Sequence, residues 1–223
     1  MQDCRNLLEN YLSKKIGFFG GSFDPIHLGH LNLAIEIAEK HKLDEVYFCP
    51  TSQSPFKKAR PPIATKEERR AMVTGAISPL PQFTLLDFEL QKSMPSYTID
   101  TIRALITIDE QQKKKKNYFL LLGEDALEQF HLWREVDELV KLATPLIGSR
   151  DKKSLIKPKN LTAALSSCVE KGITPIPIME ISSTLIRDRL QKGLYCGHLL
   201  PAKVWDYIQQ HQLYRVKTHE KRS

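Results

Sequence analysis

Paired cysteines are the first feature that the sequence lacks. Its four cysteines, Cys4, Cys49, Cys168 and Cys196, lie far apart and form no Cys-x-x-Cys motif. This spacing is typical of reduced thiols and argues against a disulfide framework and a zinc site. We therefore expect a cytoplasmic protein.

Long apolar runs and internal repeats are also missing. No apolar run approaches the roughly 18 residues that a membrane helix needs, and the charged and amide-containing segment Met1 to Lys15 lacks the apolar core of a signal peptide. We expect no membrane partner. We interpret residues 1–14 as an N-terminal extension, 15–215 as one domain with a small C-terminal helical lobe at 180–215, and 216–223 as a polar tail.

Composition and charge restrict the class of ligand only in part. The 223 residues are 41% hydrophobic and 26% charged, as in globular proteins of one well-buried domain. The net charge of +7 favours anionic ligands, whether nucleotides, pyrophosphate or nucleic acid. The lysine run Lys113 to Lys116 has no interleaved aromatic residues, which favours an exposed loop over a nucleic-acid site. The sequence leaves a homo-oligomer open.

Short apolar runs alternate with segments of helical periodicity along the chain. The predicted strands lie at 16–19, 45–48, 83–88, 118–122, 145–148 and 173–179. The predicted helices lie at 31–40, 65–77, 96–108, about 181–191 and 201–210. This alternation predicts an α/β fold with a Rossmann-like open parallel sheet and helices on both faces. Two prolines place the last strand at an edge.

The segment GGSFDPIHLGH, residues 20–30, joins the first strand to the first helix. Gly20 and Gly21 allow a sharp turn and a close approach to a ligand. The N–H groups of the helix start favour phosphate oxygens. His27 and His30 are three residues apart, so a helix that had begun by His27 would carry both on one face. As a lone pair they would more often be ordinary surface histidines, and a metal site would need a third ligand.

Other candidate residues follow predicted strands or begin predicted helices. Lys57 and Lys58, after the second strand, either meet phosphate or form a solvated basic loop. Asp125 follows the fourth strand, where an acidic side chain can hold ribose hydroxyls. Trp133 is either part of the core or a stacking surface for a flat heterocycle.

Two predicted helix starts carry hydroxyl groups. Capping is the default explanation for the segment Ser96 to Thr101 and for Ser182 or Ser183. A helix N-terminus could also receive a carboxylate, and Arg187, one turn inside its helix, could reach nucleotide phosphates with its planar fork.

Four segments, GGSFDPIHLGH, SYTIDT, LLGEDALEQFHLW and ISSTLIR, occur in one order over most of residues 15 to 215. Together they resemble the nicotinate-nucleotide adenylyltransferase family of the nucleotidyltransferase superfamily. The first segment is shared across the superfamily, and the other three are more specific for this family.

The resemblance implies a role for three groups of residues. The catalytic group is His27, His30, Arg187 and Lys57. The ATP-binding group is Gly20, Gly21, Ser22, Phe23, Gly123, Asp125, Ser183 and Thr184. The group that binds nicotinate mononucleotide is Tyr97, Thr98 and Trp133. The sequence departs from the family at Phe56, where a histidine is usual, and at Glu135 and Val136, where a second aromatic residue is usual.

The implied reaction is adenylyl transfer from ATP to nicotinate mononucleotide, with Mg²⁺ brought by the ATP and no metal ligands from the chain. A sister enzyme acting on nicotinamide mononucleotide stays open, since the two acceptors differ by one carboxylate; an enzyme of the phosphopantetheine type fits the later segments poorly. A basic RNA-binding protein without enzymatic activity is the remote alternative. A helix N-terminus near Thr98 favours the acid over the amide.

Overall fold

A six-stranded parallel sheet forms the centre of the computed structural model. The model describes residues 13–52, 61–91, 97–149, 162–177 and 179–215. The strands are β1 (Lys14–Gly21), β2 (Glu45–Pro50), β3 (Phe83–Leu85), β4 (Lys116–Gly123), β5 (Ala143–Ser149) and β6 (Ile173–Pro175). Their spatial order is β3-β2-β1-β4-β5-β6, which confirms the predicted Rossmann-like α/β class.

The strand order creates a crevice between β1 and β4. From β1 the chain moves outward to β2 and β3, then returns to the other side of β1 to form β4. The connections that leave the carboxyl ends of β1 and β4 therefore diverge, and ligands of open parallel sheets bind at such a point.

Eight α-helices cover the two faces of the sheet in the described part of the chain. They are α1 (Leu28–His41), α2 (Lys66–Ile77), α3 (Thr98–Gln111), α4 (Glu124–Glu128), α5 (Val136–Leu142), α6 (Ala163–Gly172), α7 (Ser183–Gln191) and α8 (Ala202–Gln210). A single 3₁₀ turn, Phe130–Leu132, lies between α4 and α5.

Each face of the sheet has its own hydrophobic core. Phe18 of β1 packs with residues of α3, α5 and α6 on one face, whereas its neighbour Phe19 packs with residues of α1 and α2 on the other. The expected C-terminal lobe joins the second core, since Ile186 of α7 and Val204 of α8 are fully buried in it.

Two strands are shorter than predicted. The third was expected to reach Phe88 but ends at Leu85, because its partner β2 offers pairing only through Phe48 and the chain then turns at Asp87. The last was expected to reach Met179 but ends at Pro175; it lies at the sheet edge as predicted, and its prolines lack the N–H groups that extend a ladder.

The prediction of an exposed loop at Lys113 to Lys116 is wrong at its last residue. Lys113, Lys114 and Lys115 are exposed, but Lys116 begins β4. Its ammonium lies 2.8 Å from the carboxylate of Asp109, and only 14% of its side chain is exposed. Periodicity alone missed this pair because its two members belong to different elements.

Some expectations fall outside the described residues. They concern residues 1–12, the segment with Phe56, Lys57 and Lys58, Ser96 at the predicted start of the third helix, the polar stretch at 150–160, and the tail from 216. No helix in the part of the chain that the structure describes is long and apolar enough to cross a membrane.

Candidate functional site

A cavity of about 900 Å³ opens at the carboxyl edge of the sheet, where β1 and β4 diverge. Its lining includes every predicted site residue that the structure describes: Gly20, Gly21, Ser22, Phe23, His27, His30, Tyr97, Thr98, Gly123, Asp125, Trp133, Ser183, Thr184 and Arg187. Lys57 lies outside the described residues. Residues more than 160 positions apart in sequence thus share one crevice.

The turn after β1 depends on a glycine. Phe23 has a φ of +47°, and its ring lies so close to Gly21 that an added Cβ would stand 3.0 Å from the ring. The Phe23 ring is buried and packs edge to face against Phe19 and His30. A side chain at position 21 would therefore push on the aromatic ring that supports His30.

Side chains from two helices hold the carbonyl groups of this turn. Arg69 donates from Nη1 to the Ser22 carbonyl at 2.7 Å. Arg187 donates from Nη1 to the Asp24 carbonyl at 2.6 Å, and the Ser183 hydroxyl donates to the Pro25 carbonyl at 2.9 Å. The turn is thereby fixed from α2 on one side and from α7 on the other.

Arg69 is a residue that the sequence analysis missed. It is only 1% exposed and also donates to the carbonyls of Thr51 and Ser52. A signal was available, because Arg69 lies three and four residues before Met72 and Val73 on the buried stripe of α2. A charged residue on such a stripe is rarely buried without polar partners.

The two histidines stack at the start of α1. The helix begins at Leu28, earlier than predicted, with His27 as its N-cap residue. The ring centroids of His27 and His30 are 3.6 Å apart, and the backbone N–H of His27 donates to Nδ1 of His30 at 3.2 Å. In its neutral form His30 therefore carries its ring proton on Nε2, which remains a donor.

His27 is held in its neutral form by burial. It is 5% exposed, and desolvation lowers its pKa from 6.5 to about 4. At neutral pH it can donate or accept a hydrogen bond but brings no charge into the cavity. The positive charge at this end of the cavity comes from Arg187, whose Nη2 also donates to the Thr184 hydroxyl at 3.1 Å.

The part of the cavity beside β4 and β5 has space made by glycines. A Cβ at Gly123 would lie 2.8 Å from a carboxylate oxygen of the exposed Asp125. A Cβ at Gly148 would lie 2.6 Å from Ile176. These two positions keep Asp125 and Ile176 close to the carboxyl ends of the strands, where they line the cavity.

Another part of the cavity wall is aromatic and lies at the start of α3. Tyr97, rather than a serine or threonine, occupies the N-cap position, and its side chain makes no capping bond. Trp133 packs edge to face against Phe130 at a centroid distance of 5.2 Å and is half-buried. The guanidinium of Arg134, which the sequence analysis did not single out, lies 4.8 Å above the Tyr97 ring.

Ser182 and Ser183 have different roles: one caps a helix and the other bonds to the β1 turn. The sequence did not decide which serine does which. The hydroxyl of Ser182 accepts from the N–H of Leu185 and caps α7, as predicted for one of the pair. The other hydroxyl, that of Ser183, makes the bond to Pro25 described above. Within the described ranges, no group of three His, Cys, Asp or Glu side chains is placed to hold a metal ion.

Comparisons with known proteins agree with this fold. A family model described as cytidylyltransferase-like matches residues 18–189. A protein of Dehalococcoides mccartyi named "Probable nicotinate-nucleotide adenylyltransferase" is 40% identical over 210 residues, which are 91% of this chain and 98% of that protein. A protein of the same name from Oceanobacillus iheyensis is 35% identical over 201 residues, 90% of this chain and 97% of its own.

A solved structure supports the fold independently. The nicotinic acid mononucleotide adenylyltransferase of Plasmodium falciparum, complexed with NaAD, superposes with a TM-score of 0.69 at 23% identity, covering 90% of this chain and 97% of that one. With the family match over 18–189 and the relatives that align along nearly their whole length, the chain belongs to the cytidylyltransferase-like family and, within it, to the nicotinate-nucleotide adenylyltransferases.

Proposed function

We propose that this protein transfers the adenylyl group of ATP to nicotinate mononucleotide, giving nicotinate adenine dinucleotide and pyrophosphate in NAD biosynthesis. The observation that carries the proposal is one cavity with two unlike regions. We call the region with Arg187, His27 and His30, at the β1 turn, the cationic end. The region with Tyr97 and Trp133, at the start of α3, is the aromatic end. The names of relatives that are 35 to 40% identical over about nine tenths of the chain support the same reaction.

The reaction needs alignment more than covalent chemistry. An oxygen of the acceptor's 5′-phosphate bonds to the α-phosphorus of ATP, the bond from that phosphorus to the bridging oxygen breaks, and the electron pair leaves on pyrophosphate. The nucleophile is already an anion, so no residue has to remove a proton. The chain has to bring two anions together and stabilise the charge that gathers on the leaving group.

The cationic end has the groups for this task. In our proposal Arg187 offsets the charge of the β- and γ-phosphates, and His27 and His30 donate hydrogen bonds near the reacting phosphate. Neutral imidazoles suit the role of donors that are fixed in place before the reaction. Lys57 would add a second positive charge from its loop.

The ATP seat extends along the turn and the start of α7. Gly20, Gly21, Ser22 and Phe23 would bring backbone N–H groups towards the phosphates, and Ser183 and Thr184 would hold α7 beside them. Asp125, with room provided by Gly123, would accept hydrogen bonds from the ribose hydroxyls. Mg²⁺ would enter as the MgATP complex, since hard cations prefer phosphate and water oxygens and usually keep several waters.

The aromatic end suits the pyridine ring of the acceptor. Trp133 offers an apolar face for stacking, and Tyr97 forms the adjoining wall. The N-terminus of the 14-residue helix α3 at Thr98 adds a partial positive charge that favours a carboxylate over an amide. Arg134, beside Tyr97, adds a cation whose charge is shared with the carboxylates of Asp100 at 3.4 Å and Glu135 at 3.6 Å.

The test is pyrophosphate release from MgATP with nicotinate mononucleotide, compared with nicotinamide mononucleotide under the same conditions. We expect the acid to be the better acceptor and His30→Ala to lose most of the release. His211→Ala, which removes an exposed histidine beyond α8, serves as the matched control and should stay active. A greater rate with the amide would reassign the acceptor to the sister reaction, and no release with either would overturn the proposal.

A further inference from the structure

A buried carboxylate lies beneath the cationic end of the cavity. Asp24, in the turn after β1, is only 4% exposed. Its Oδ2 accepts from the N–H of Ile63 at 2.8 Å, and its Oδ1 accepts from the N–H of Ala64 at 3.0 Å. A buried carboxylate needs several such donors, because water no longer solvates its charge.

A third donor to this carboxylate comes from the end of the described chain. The hydroxyl of Tyr214, 190 residues away in sequence, donates to Oδ1 of Asp24 at 2.8 Å. Tyr214 is 6% exposed, and burial, reinforced by the charge of Asp24, raises its pKa well above the ordinary value. At any pH that the fold tolerates, the phenol is therefore a proton donor to Asp24.

Asp24 also contacts Arg187. The carbonyl of Asp24 accepts from Nη1 of Arg187 at 2.6 Å, and Oδ2 of the same residue lies 3.8 Å from that nitrogen. The guanidinium is thus held by both the main chain and the carboxylate of Asp24. Any shift of Asp24 moves the cation as well as the turn.

We propose that Tyr214 and Asp24 are positioning residues for the ATP phosphates: the C-terminal phenol fixes the buried carboxylate, which in turn fixes Arg187 and the turn that follows β1. The proposal rests on the role of Arg187 in the proposed function. It adds that the last described residues of the chain are part of the phosphate site, although Tyr214 itself does not line the cavity.

Two alternatives for Tyr214 make different predictions. If it served packing alone, loss of its hydroxyl would lower stability without changing any substrate affinity. If it acted on the site as a whole, both substrates would bind more weakly. In our proposal only the phosphate end changes, because Asp24 contacts Arg187 and none of the residues at the aromatic end.

The test variant is Tyr214→Phe, which keeps the ring and removes one hydrogen bond. Loss of a whole bond to a charged group is worth more than about tenfold, and since only part of it reaches the phosphate site, the affinity for MgATP and for pyrophosphate should fall about five- to tenfold. The Kd for nicotinate mononucleotide should stay within about twofold. Binding is measured by calorimetry, so the result does not depend on turnover.

The chain provides a matched control for the stability effect. Tyr118 is another buried tyrosine, 4% exposed, whose hydroxyl donates to a carboxylate, that of Asp109 at 2.6 Å, at the opposite edge of the sheet. Tyr118→Phe loses the same kind of bond and should lower the melting temperature by a similar amount. Its affinity for pyrophosphate should equal that of the wild type.

The outcomes separate the two proposals. Weaker pyrophosphate binding in Tyr214→Phe but not in Tyr118→Phe supports the positioning role. The positioning role is overturned if Tyr214→Phe and Tyr118→Phe bind pyrophosphate equally well, or if Tyr214→Phe loses the same affinity for MgATP and for nicotinate mononucleotide. The proposed function stands in both cases. Wild-type protein that binds neither MgATP nor pyrophosphate would instead contradict the proposed function.

Discussion

The two edges of the sheet use buried polar groups in opposite ways. At the amino edge, the carboxylate of Asp109 accepts from Lys116 at 2.8 Å and from Tyr118 at 2.6 Å, and Lys116 also donates to the hydroxyl of Tyr47. Burial works to lower the pKa of Lys116, but its bonds to Asp109 and Tyr47 outweigh burial and raise that pKa. The polar groups of this edge satisfy one another.

At the carboxyl edge the polar groups are bonded to the protein on one side and face the cavity on the other. Arg187 is fixed by Asp24 and Thr184, yet it lines the cavity. Nδ1 of His27 is buried and has no hydrogen-bond partner among the described residues. Unsatisfied buried polar atoms cost stability. The comparison teaches that the amino edge contributes stability, whereas the carboxyl edge keeps hydrogen-bonding capacity for a ligand at some cost in stability.

The largest expected effect is on activity at the carboxyl edge. Arg187→Gln removes the cation that lines the cavity beside the turn, and it should lower kcat/KM for ATP by on the order of a hundredfold or more, the usual cost of losing a group that stabilises developing charge. Its control is Arg70→Gln. Arg70 is an exposed residue of α2 whose guanidinium lies 3.1 Å from the carboxylate of Asp87. If both variants lose activity equally, the assignment of the cationic end is wrong.

The next effect is on stability at the amino edge. Lys116→Gln leaves the buried Asp109 carboxylate without its cation and should lower the free energy of unfolding by about 3 kcal/mol, as when one partner of a buried pair is removed. Activity of the folded fraction should be unchanged. Urea unfolding and pyrophosphate release measure the two quantities on the same sample, and a specific loss of activity without destabilisation would break the contrast between the edges.

Acid should destabilise the protein through His27. Because its folded-state pKa is about 4, the unfolded chain binds a proton near pH 6.5 and the folded chain does not, so stability falls as the pH drops from about 6.5 to 4. At pH 5 this amounts to about 2 kcal/mol.

His27→Gln should be less sensitive to acid than the wild type, whereas His211→Gln should keep the wild-type slope. The check is the urea midpoint at pH 7 and at pH 5 for all three proteins. Equal slopes for all three would show that His27 does not stay neutral in the fold.

The smallest effect separates two helical glycines. A Cβ at Gly75 in α2 would make ordinary contact with Lys203 at 3.4 Å, so Gly75→Ala should stabilise the protein by about 0.5 to 1 kcal/mol at unchanged activity. A Cβ at Gly29 in α1 would lie 3.1 Å from Nδ1 of His27.

Gly29→Ala should therefore stabilise less and lower the rate several-fold by displacing the His27 ring. Melting temperature and pyrophosphate release distinguish the two variants. Unchanged activity in Gly29→Ala would mean that the ring of His27 can move without consequence.

The sequence alone was sufficient for the architecture and for naming many of the residues that line the cavity. Alternating apolar runs and helical periodicity determine an open parallel sheet, and the carboxyl ends of its strands must then lie together. The segment at 20–30 and the helix start at Ser182 are local patterns, readable from glycine, hydroxyl and histidine positions within a few residues. Position after a strand suggested a ribose contact for Asp125, and Trp133 was a candidate stacking face; the family resemblance added the ligand that each would meet, and the structure brings both residues into the same cavity.

The contacts between distant segments could be decided only by the tertiary structure. The bond from Tyr214 to Asp24 and those from Arg69 to the turn join residues that no local pattern connects. The neutral state of His27 and the pairing of Lys116 likewise depend on burial, which the neighbours impose after folding. Local sequence selects the elements through periodicity and capping, but the energy of a buried polar group depends on whichever groups the fold brings next to it.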